Sequence, residues 1–128
     1  MEYPKNLKYM KTDEWIKVEN GVGTIGISDY AQDSLSDVVY VEFAVDPDDK
    51  VAAGDNLATI ESVKAAAEVN IPVSGTILEV NSGLSDTPEV LNEAPYTDGW
   101  LVKVQLDDES ELDALMDAAA YEAYCQNR

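Results

Sequence analysis

Histidine is absent from the chain, and cysteine occurs once, at Cys125. A Ser-His-Asp or Cys-His site therefore cannot be assembled, nor a zinc site built on His and Cys ligands. A single thiol also excludes an internal disulfide framework, which fits a reducing compartment. Positive charge is scarce as well: eight Lys and Arg stand against 26 Asp and Glu, for a formal charge of −18 and a pI near 4.1. Such a chain repels phosphate backbones and anionic lipid, so neither a nucleic-acid nor a membrane partner is expected. No apolar run approaches the ~18 residues that a membrane-spanning helix needs. The start, Met1 to Lys5, reads neither as a secretory signal nor as an Arg-rich transit peptide, which predicts a cytoplasmic protein. Any bond chemistry by the bare chain would fall to carboxylates, Lys, Tyr or Ser.

What is present suffices for a core. The hydrophobic fraction is 45% over 128 residues, which predicts one globular domain spanning 1–128. A folded chain of this mass keeps roughly 6,700 Å² of surface out of roughly 20,000 Å² unfolded. The acidic surplus favours a soluble monomer and suits docking to basic patches on partner proteins.

Local patterns predict mainly β-structure. Trp15 to Val18 reads as a strand, Asn20-Gly21 as a type I′ hairpin turn, and Val22 to Ile27 as the returning strand. Gly23 and Gly26 within it suggest a bulge or a close backbone neighbour. Ser28-Asp29 opens a short helix that ends near Leu35. Val38 to Phe43 is a β-branched and aromatic strand, and Asp46 to Asp49 a solvated turn. Asn81 to Pro95 is a polar connection with one helical turn near Glu89 to Leu91. Trp100 to Val104 alternates, with Trp100, Val102 and Val104 on one face. Ser110 caps a last helix in which Leu112, Leu115, Met116 and Ala119 recur at helical spacing. Cys125 falls beyond that repeat, in a tail expected to fray. The sum is a small β-sandwich or barrel with peripheral helices.

The middle of the chain has a near-mirror form. Strands at Asn56 to Ser62 and Ala66 to Ile71 flank a tip at Val63-Lys64, and a further strand runs from Thr76 to Val80. Gly54 lies 10 residues before Lys64 and Gly75 lies 11 after it. A hairpin tip ordinarily takes Gly, Asn or Asp, yet this one reads Glu61-Ser62-Val63-Lys64-Ala65-Ala66. Most exposed lysines do nothing. This one is set at the crest of a stiff hairpin, between small residues, in a chain with only seven lysines.

That hairpin resembles the lipoyl-attachment hairpin, and in particular the glycine cleavage H-protein family. Glu61-Ser62-Val63-Lys64 and Asn70-Ile71-Pro72-Val73-Ser74-Gly75 carry the resemblance. So do Asp13-Glu14-Trp15-Ile16, the run from Gly23 to Asp33, Val80-Asn81 and Tyr96-Thr97-Asp98-Gly99-Trp100-Leu101. These blocks lie in the family's order and spacing from about Leu7 to about Tyr124.

The resemblance implies a barrel-sandwich hybrid fold with short peripheral helices and a C-terminal helix. It implies a non-catalytic carrier whose Lys64 amine is acylated by lipoic acid, with Glu61, Ser62, Val63, Gly54 and Gly75 as the recognition motif. A pyridoxal-phosphate glycine decarboxylase would load the lipoyl arm with an aminomethyl group. A tetrahydrofolate-dependent aminomethyltransferase would unload it, dihydrolipoamide dehydrogenase would reoxidise it, and a lipoate-attaching enzyme would install it. The matching arm-cleft positions are Thr12, Glu14, Ile27, Ser34 and Glu68, with Glu14 the candidate partner for the arm's amine. Asp13 and Ser34 both stand where the resemblance would place His, and the change at Ser34 bears on hydrogen bonding in the cleft. Other readings of the same residues are an H-like lipoyl relay that supplies lipoate to other enzymes, a carboxylate enzyme, and an acidic adaptor with an unmodified lysine. A biotin carrier would share the hairpin but flanks its lysine with methionines, where this chain has Val63 and Ala65.

Overall fold

A computed structural model describes all residues, 1–128. The strands are Lys8–Tyr9 (β1), Glu14–Glu19 (β2), Val22–Ile27 (β3), Val38–Phe43 (β4), Lys50–Val51 (β5), Asn56–Ser62 (β6), Ala66–Asn70 (β7), Gly75–Val80 (β8) and Val102–Leu106 (β9). They form two antiparallel sheets, one ordered β1-β2-β3-β9-β8-β5 and one ordered β4-β6-β7. Three helices lie at the periphery: Asp29–Leu35 (α1), Val90–Glu93 (α2) and Ala118–Gln126 (α3). None is long and apolar enough to cross a membrane.

The strand period of two sorts the side chains. Ile16, Ile25 and Ile27 of the larger sheet meet Val41, Ile60 and Val69 of the smaller one in a core of 20 buried residues. Trp15, on the other face of β2, joins Leu7 and Tyr9 in a second cluster that α3 covers with Ala118, Tyr121 and Cys125. The first three residues of β2 are thus buried on both faces, while Lys17 and Glu19 beyond them are exposed. α3 is needed because the outer face of the larger sheet carries two large aromatics at this end. Tyr121 stacks on Tyr9 with ring centroids 4.5 Å apart.

The hairpin turn at Asn20-Gly21 has positive φ at both residues, 53° and 78°, as a type I′ turn requires. β2 and β3 pair without a bulge, so the glycines of β3 serve close approach. A Cβ on Gly26 would lie 2.8 Å from the Trp15 indole that faces it. Ser28 caps α1, its side chain accepting from the Ala31 N–H.

Four expectations need correction. The last helix is two elements. Glu109–Ala114 is a 3-10 turn capped by Asp108, Leu115 is extended, and α3 begins after a second cap at Asp117. The chain turns because its halves serve different cores: Leu112 and Leu115 pack on the large one, Ala118 on the small one. Between them Met116 pairs as a strand residue with Tyr9. Cys125 is buried in α3 and does not lie in a frayed tail. Trp100 precedes β9 and packs toward the second cluster, so it does not share the core face of Val102 and Val104. The connection from Asn81 to Pro95 holds a 3-10 turn at Ser82–Ser85 as well as α2.

Gly54 and Gly75 mark the base of the β6–β7 hairpin for different reasons. Gly54 has φ +95° with open space beside it, whereas a Cβ on Gly75 would stand 2.1 Å from the Gln105 carbonyl oxygen in β9. Gly54→Ala is expected to cost about 1–2 kcal/mol of backbone strain. Gly75→Ala must push two paired strands apart and is expected to cost upward of about 4 kcal/mol. Urea unfolding of the two variants checks that order, and equal costs would refute it.

Candidate functional site

The tip between β6 and β7 closes without a glycine because Ser62 does the work of a turn residue. Its hydroxyl accepts from the N–H groups of Lys64 (3.3 Å) and Ala65 (3.0 Å) and lies 3.1 Å from the Ala65 carbonyl, to which it donates. The backbone closes the same ring, Ser62 N to Ala65 O at 2.8 Å, and Val63 N is anchored to Asp37 O at 3.0 Å. A serine side chain that bonds its own backbone two and three residues on is a known substitute for a turn former. Lys64 therefore stands exposed on a fixed loop. It forms no ion pair, whereas Lys17 is held by Glu19 at 2.9 Å and Lys103 by Glu79 at 3.5 Å.

Beside the tip lies a cavity of about 260 Å³ where the two sheets part. Thr12, Glu14, Ile27, Ser34 and Glu68 all line it, and Ala65 connects it to the tip. Ile27 and Glu14 are buried, while Thr12, Ser34 and Glu68 are exposed at the rim. At ~3.3 Å per strand residue, Glu68 lies roughly 7 Å along β7 from Ala66, where the strand leaves the tip. The wall is mostly aliphatic, formed by Leu35, Ile60, Ala67 and Val69 among others.

Glu14 is the exception in that wall. Only 1% of its surface is exposed. One carboxylate oxygen accepts from the Thr12 hydroxyl and the other from the Asn70 N–H at 2.8 Å. No cation pairs with it. Burial pushes its pKa from 4.5 up to about 7, although the bonds from Asn70 and Thr12 pull it down; the neighbouring Asp13 charge adds to the rise. The arrangement offers a dry slot ended by a carboxyl without a counter-ion. No group of three His, Cys, Asp or Glu side chains could hold a metal.

Asp13 points away from the cavity, toward Tyr121 and Arg128 on the far side of the sheet. Glu61, Ser62 and Val63 adjoin the lysine, but Gly54 and Gly75 lie at the opposite end of the hairpin. Asn70 falls in a block that carries the resemblance, but sequence pattern gives neither it nor Tyr121 a role, since those roles come from partners 56 and 108 residues away. Arg128 does stand out as the chain's single arginine.

Comparison with known proteins gives one consistent result. The family model described as glycine cleavage H-protein matches residues 7–128. The chain is 53% identical over 122 residues to the glycine cleavage system H protein of Alcanivorax borkumensis, covering 95% of this chain and 94% of that one. It is 46% identical over 121 residues to the namesake of Staphylococcus epidermidis, covering 94% and 95%. The crystal structure of a glycine cleavage system H protein from Mycobacterium marinum superposes with a TM-score of 0.84 at 31% identity, over 97% of this chain and 98% of that one.

The environment of Glu14 makes stability depend on pH in a defined direction. Below pH 4.5 the carboxyl is protonated folded or unfolded. Between 4.5 and about 7 the unfolded chain has released a proton that the folded chain keeps. Stability therefore falls as pH rises through that window, at up to about 1.4 kcal/mol per pH unit, and the loss is complete above it. Glu14→Gln is expected to match the wild type near pH 4 and to exceed it by roughly 1–3 kcal/mol at pH 8. Urea unfolding at both pH values measures the difference. Parallel pH profiles for the two proteins would mean that the carboxyl is effectively solvated.

Proposed function

The chain belongs to the glycine cleavage H-protein family, the non-catalytic lipoyl carriers of the glycine cleavage system, and from that premise we propose that Lys64 is its attachment residue and the Glu14 cavity the resting place of its arm. The observation that carries this reading is the continuity between them: an unpaired lysine on a rigid tip opens directly, through Ala65, into an aliphatic slot that ends at a buried carboxyl.

The residues present fit a lipoyl group. The aliphatic walls suit its hydrocarbon chain, and the slot begins where the lysine stands. When bound, that group supplies the disulfide that takes up an aminomethyl fragment and hands it on, which the polypeptide's own side chains cannot do. The protein's part is to present, shelter and release. Ser62 fixes the tip so that the arm pivots from one point. Ile27, Ile60 and Val69 exclude water. Glu14 is partly protonated near neutral pH, and a cation beside it favours the ionised form. Glu14 would be the residue to face an amine carried on the arm: a neutral amine would take the carboxyl's proton, leaving a carboxylate paired with an ammonium. Thr12, Ser34 and Glu68 form the rim over which the arm swings out.

The system's enzymes are the partners, and we assign them as the pyridoxal-phosphate decarboxylase, the folate-dependent aminomethyltransferase, dihydrolipoamide dehydrogenase and a lipoate-attaching enzyme. Residues 1–128 act as one carrier domain in the cytoplasm. The −18 charge suits brief docking to several basic surfaces in turn, since steering by net charge speeds encounter without deep affinity.

Two measurements test the reading. Incubation with lipoate, ATP and a lipoate ligase should add one lipoyl group to the wild type and none to Lys64→Arg, whose guanidinium is not an acylation amine. Equal modification of the two, seen by intact mass, would refute the assignment. Glu14→Ala should accept lipoate normally but release formaldehyde and ammonia from the loaded arm roughly tenfold faster, as loss of a charge-assisted bond predicts. An unchanged release rate would remove Glu14 from the arm's shelter.

A further inference from the structure

Asp13 sits between two residues of the cavity, Thr12 and Glu14, but belongs to another network. Its backbone has φ +81°, a left-handed conformation that a non-glycine residue holds only under constraint. Its carbonyl accepts from the Ser28 N–H at 2.9 Å. Its carboxylate receives Arg128 through both terminal nitrogens, at 2.6 and 3.1 Å, and the Tyr121 hydroxyl at 2.8 Å. An ionised carboxylate can only accept, so Tyr121 donates to Asp13. Ser28, 2.6 Å from the same phenol oxygen, must then donate to Tyr121. Ser28 is also the cap of α1, whose Ala31, Ser34 and Leu35 form the opposite wall of the cavity. The Arg128 guanidinium lies over the rings of Tyr30 in α1 and Tyr124 in α3, 4.1 and 4.8 Å from their centroids.

We propose that Arg128, acting through Asp13 and Tyr121, is a positioning residue for the arm cavity: it latches α3 to both walls and thereby sets the placement of Thr12 and Glu14. The geometry demands a latch. Glu14 must face a dry slot while Asp13 beside it faces the opposite side of the sheet. The left-handed turn at Asp13 makes that division possible, and the bonds from Arg128, Tyr121 and Ser28 hold it. The pair is bidentate and its side chains are only 27% and 16% exposed, so it is more than a loose surface contact. Burial raises the Tyr121 pKa, so its hydroxyl remains a donor at any ordinary pH. The function given to the latch rests on the shelter reading above; its existence does not.

The Asn70 amide reports Glu14 placement directly, because its proton is given to the Glu14 carboxylate. Amide hydrogen exchange is measured in the unmodified full chain, wild type against Arg128→Gln and Tyr121→Phe. The Leu101 amide, bonded to Ile25 within the larger sheet, serves as the reference for global stability. The expected result is an Asn70 exchange rate about tenfold higher in both variants relative to Leu101, with Arg128→Lys intermediate because an ammonium keeps the charge but not the planar two-nitrogen fork. Asn70 exchange that stays unchanged, or that rises only in step with Leu101, would overturn the latch. Release from the lipoylated, loaded protein is then compared for the same variants. Faster release is expected. A selective rise at Asn70 with unaltered release would uphold the latch and overturn the shelter reading instead.

Discussion

The carboxyl of Glu14 ties the two sheets together where they would otherwise part. It sits on the first residue of β2 in the larger sheet and accepts the Asn70 N–H at the end of β7 in the smaller one. β7 is an edge strand, and its outer side would leave that donor unmet without a partner. A carboxyl meets the need at the cost of desolvating an acid, and that burial is the main cause of the raised Glu14 pKa. A hydrophobe in its place would close the slot against water but leave Asn70 unbonded and offer nothing to a cation. The site is thus a compromise in which one buried acid joins the sheets and stands ready for charge.

A carrier needs a fixed pivot, a movable arm and a shelter, and each requirement falls on a different level of structure. The pivot we propose is local: Ser62 and the paired strands on either side stiffen the tip. The proposed shelter is tertiary, assembled from both sheets and α1. The arm is supplied from outside the polypeptide. This division explains why a chain without histidine can take part in transfer chemistry. Tethering raises the effective concentration of the reacting group at each docked enzyme, so the carrier contributes proximity and its partners contribute catalysis.

The helix α3 extends this logic to the far side of the larger sheet. It covers Trp15 and Tyr9, which the alternation of β1 and β2 would expose. In doing so it brings Tyr121 and Arg128 to Asp13, one residue from the buried acid. Asp13 thus joins the second cluster to the residue next to the cavity wall, the contact on which the proposed latch rests.

Much of the protein was legible in its sequence, because strands, hairpin turns and caps depend on residues two to four apart. The Asn20-Gly21 turn, the Ser28 cap, the matched arms of β6 and β7 and the exposed Lys64 are all of this kind. The grouping of Thr12, Glu14, Ile27, Ser34 and Glu68 is of another kind: no local pattern joins residues so far apart, and it was implied only by resemblance to relatives that already embody the fold. Other features required the tertiary structure, because they depend on which face of an element is covered and by what. The apolar repeat from Leu112 to Ala119 matches one helix, yet its residues answer to two cores, and the chain breaks at Leu115 to reach both. Cys125 reads as tail until Trp15 and Tyr9 need a lid. Nothing near Glu14 in sequence announces a pKa near 7, since the groups that desolvate it come from β6, β7 and α1. The Asp13–Arg128 pair spans 115 residues, and only the docking of α3 decides that they meet.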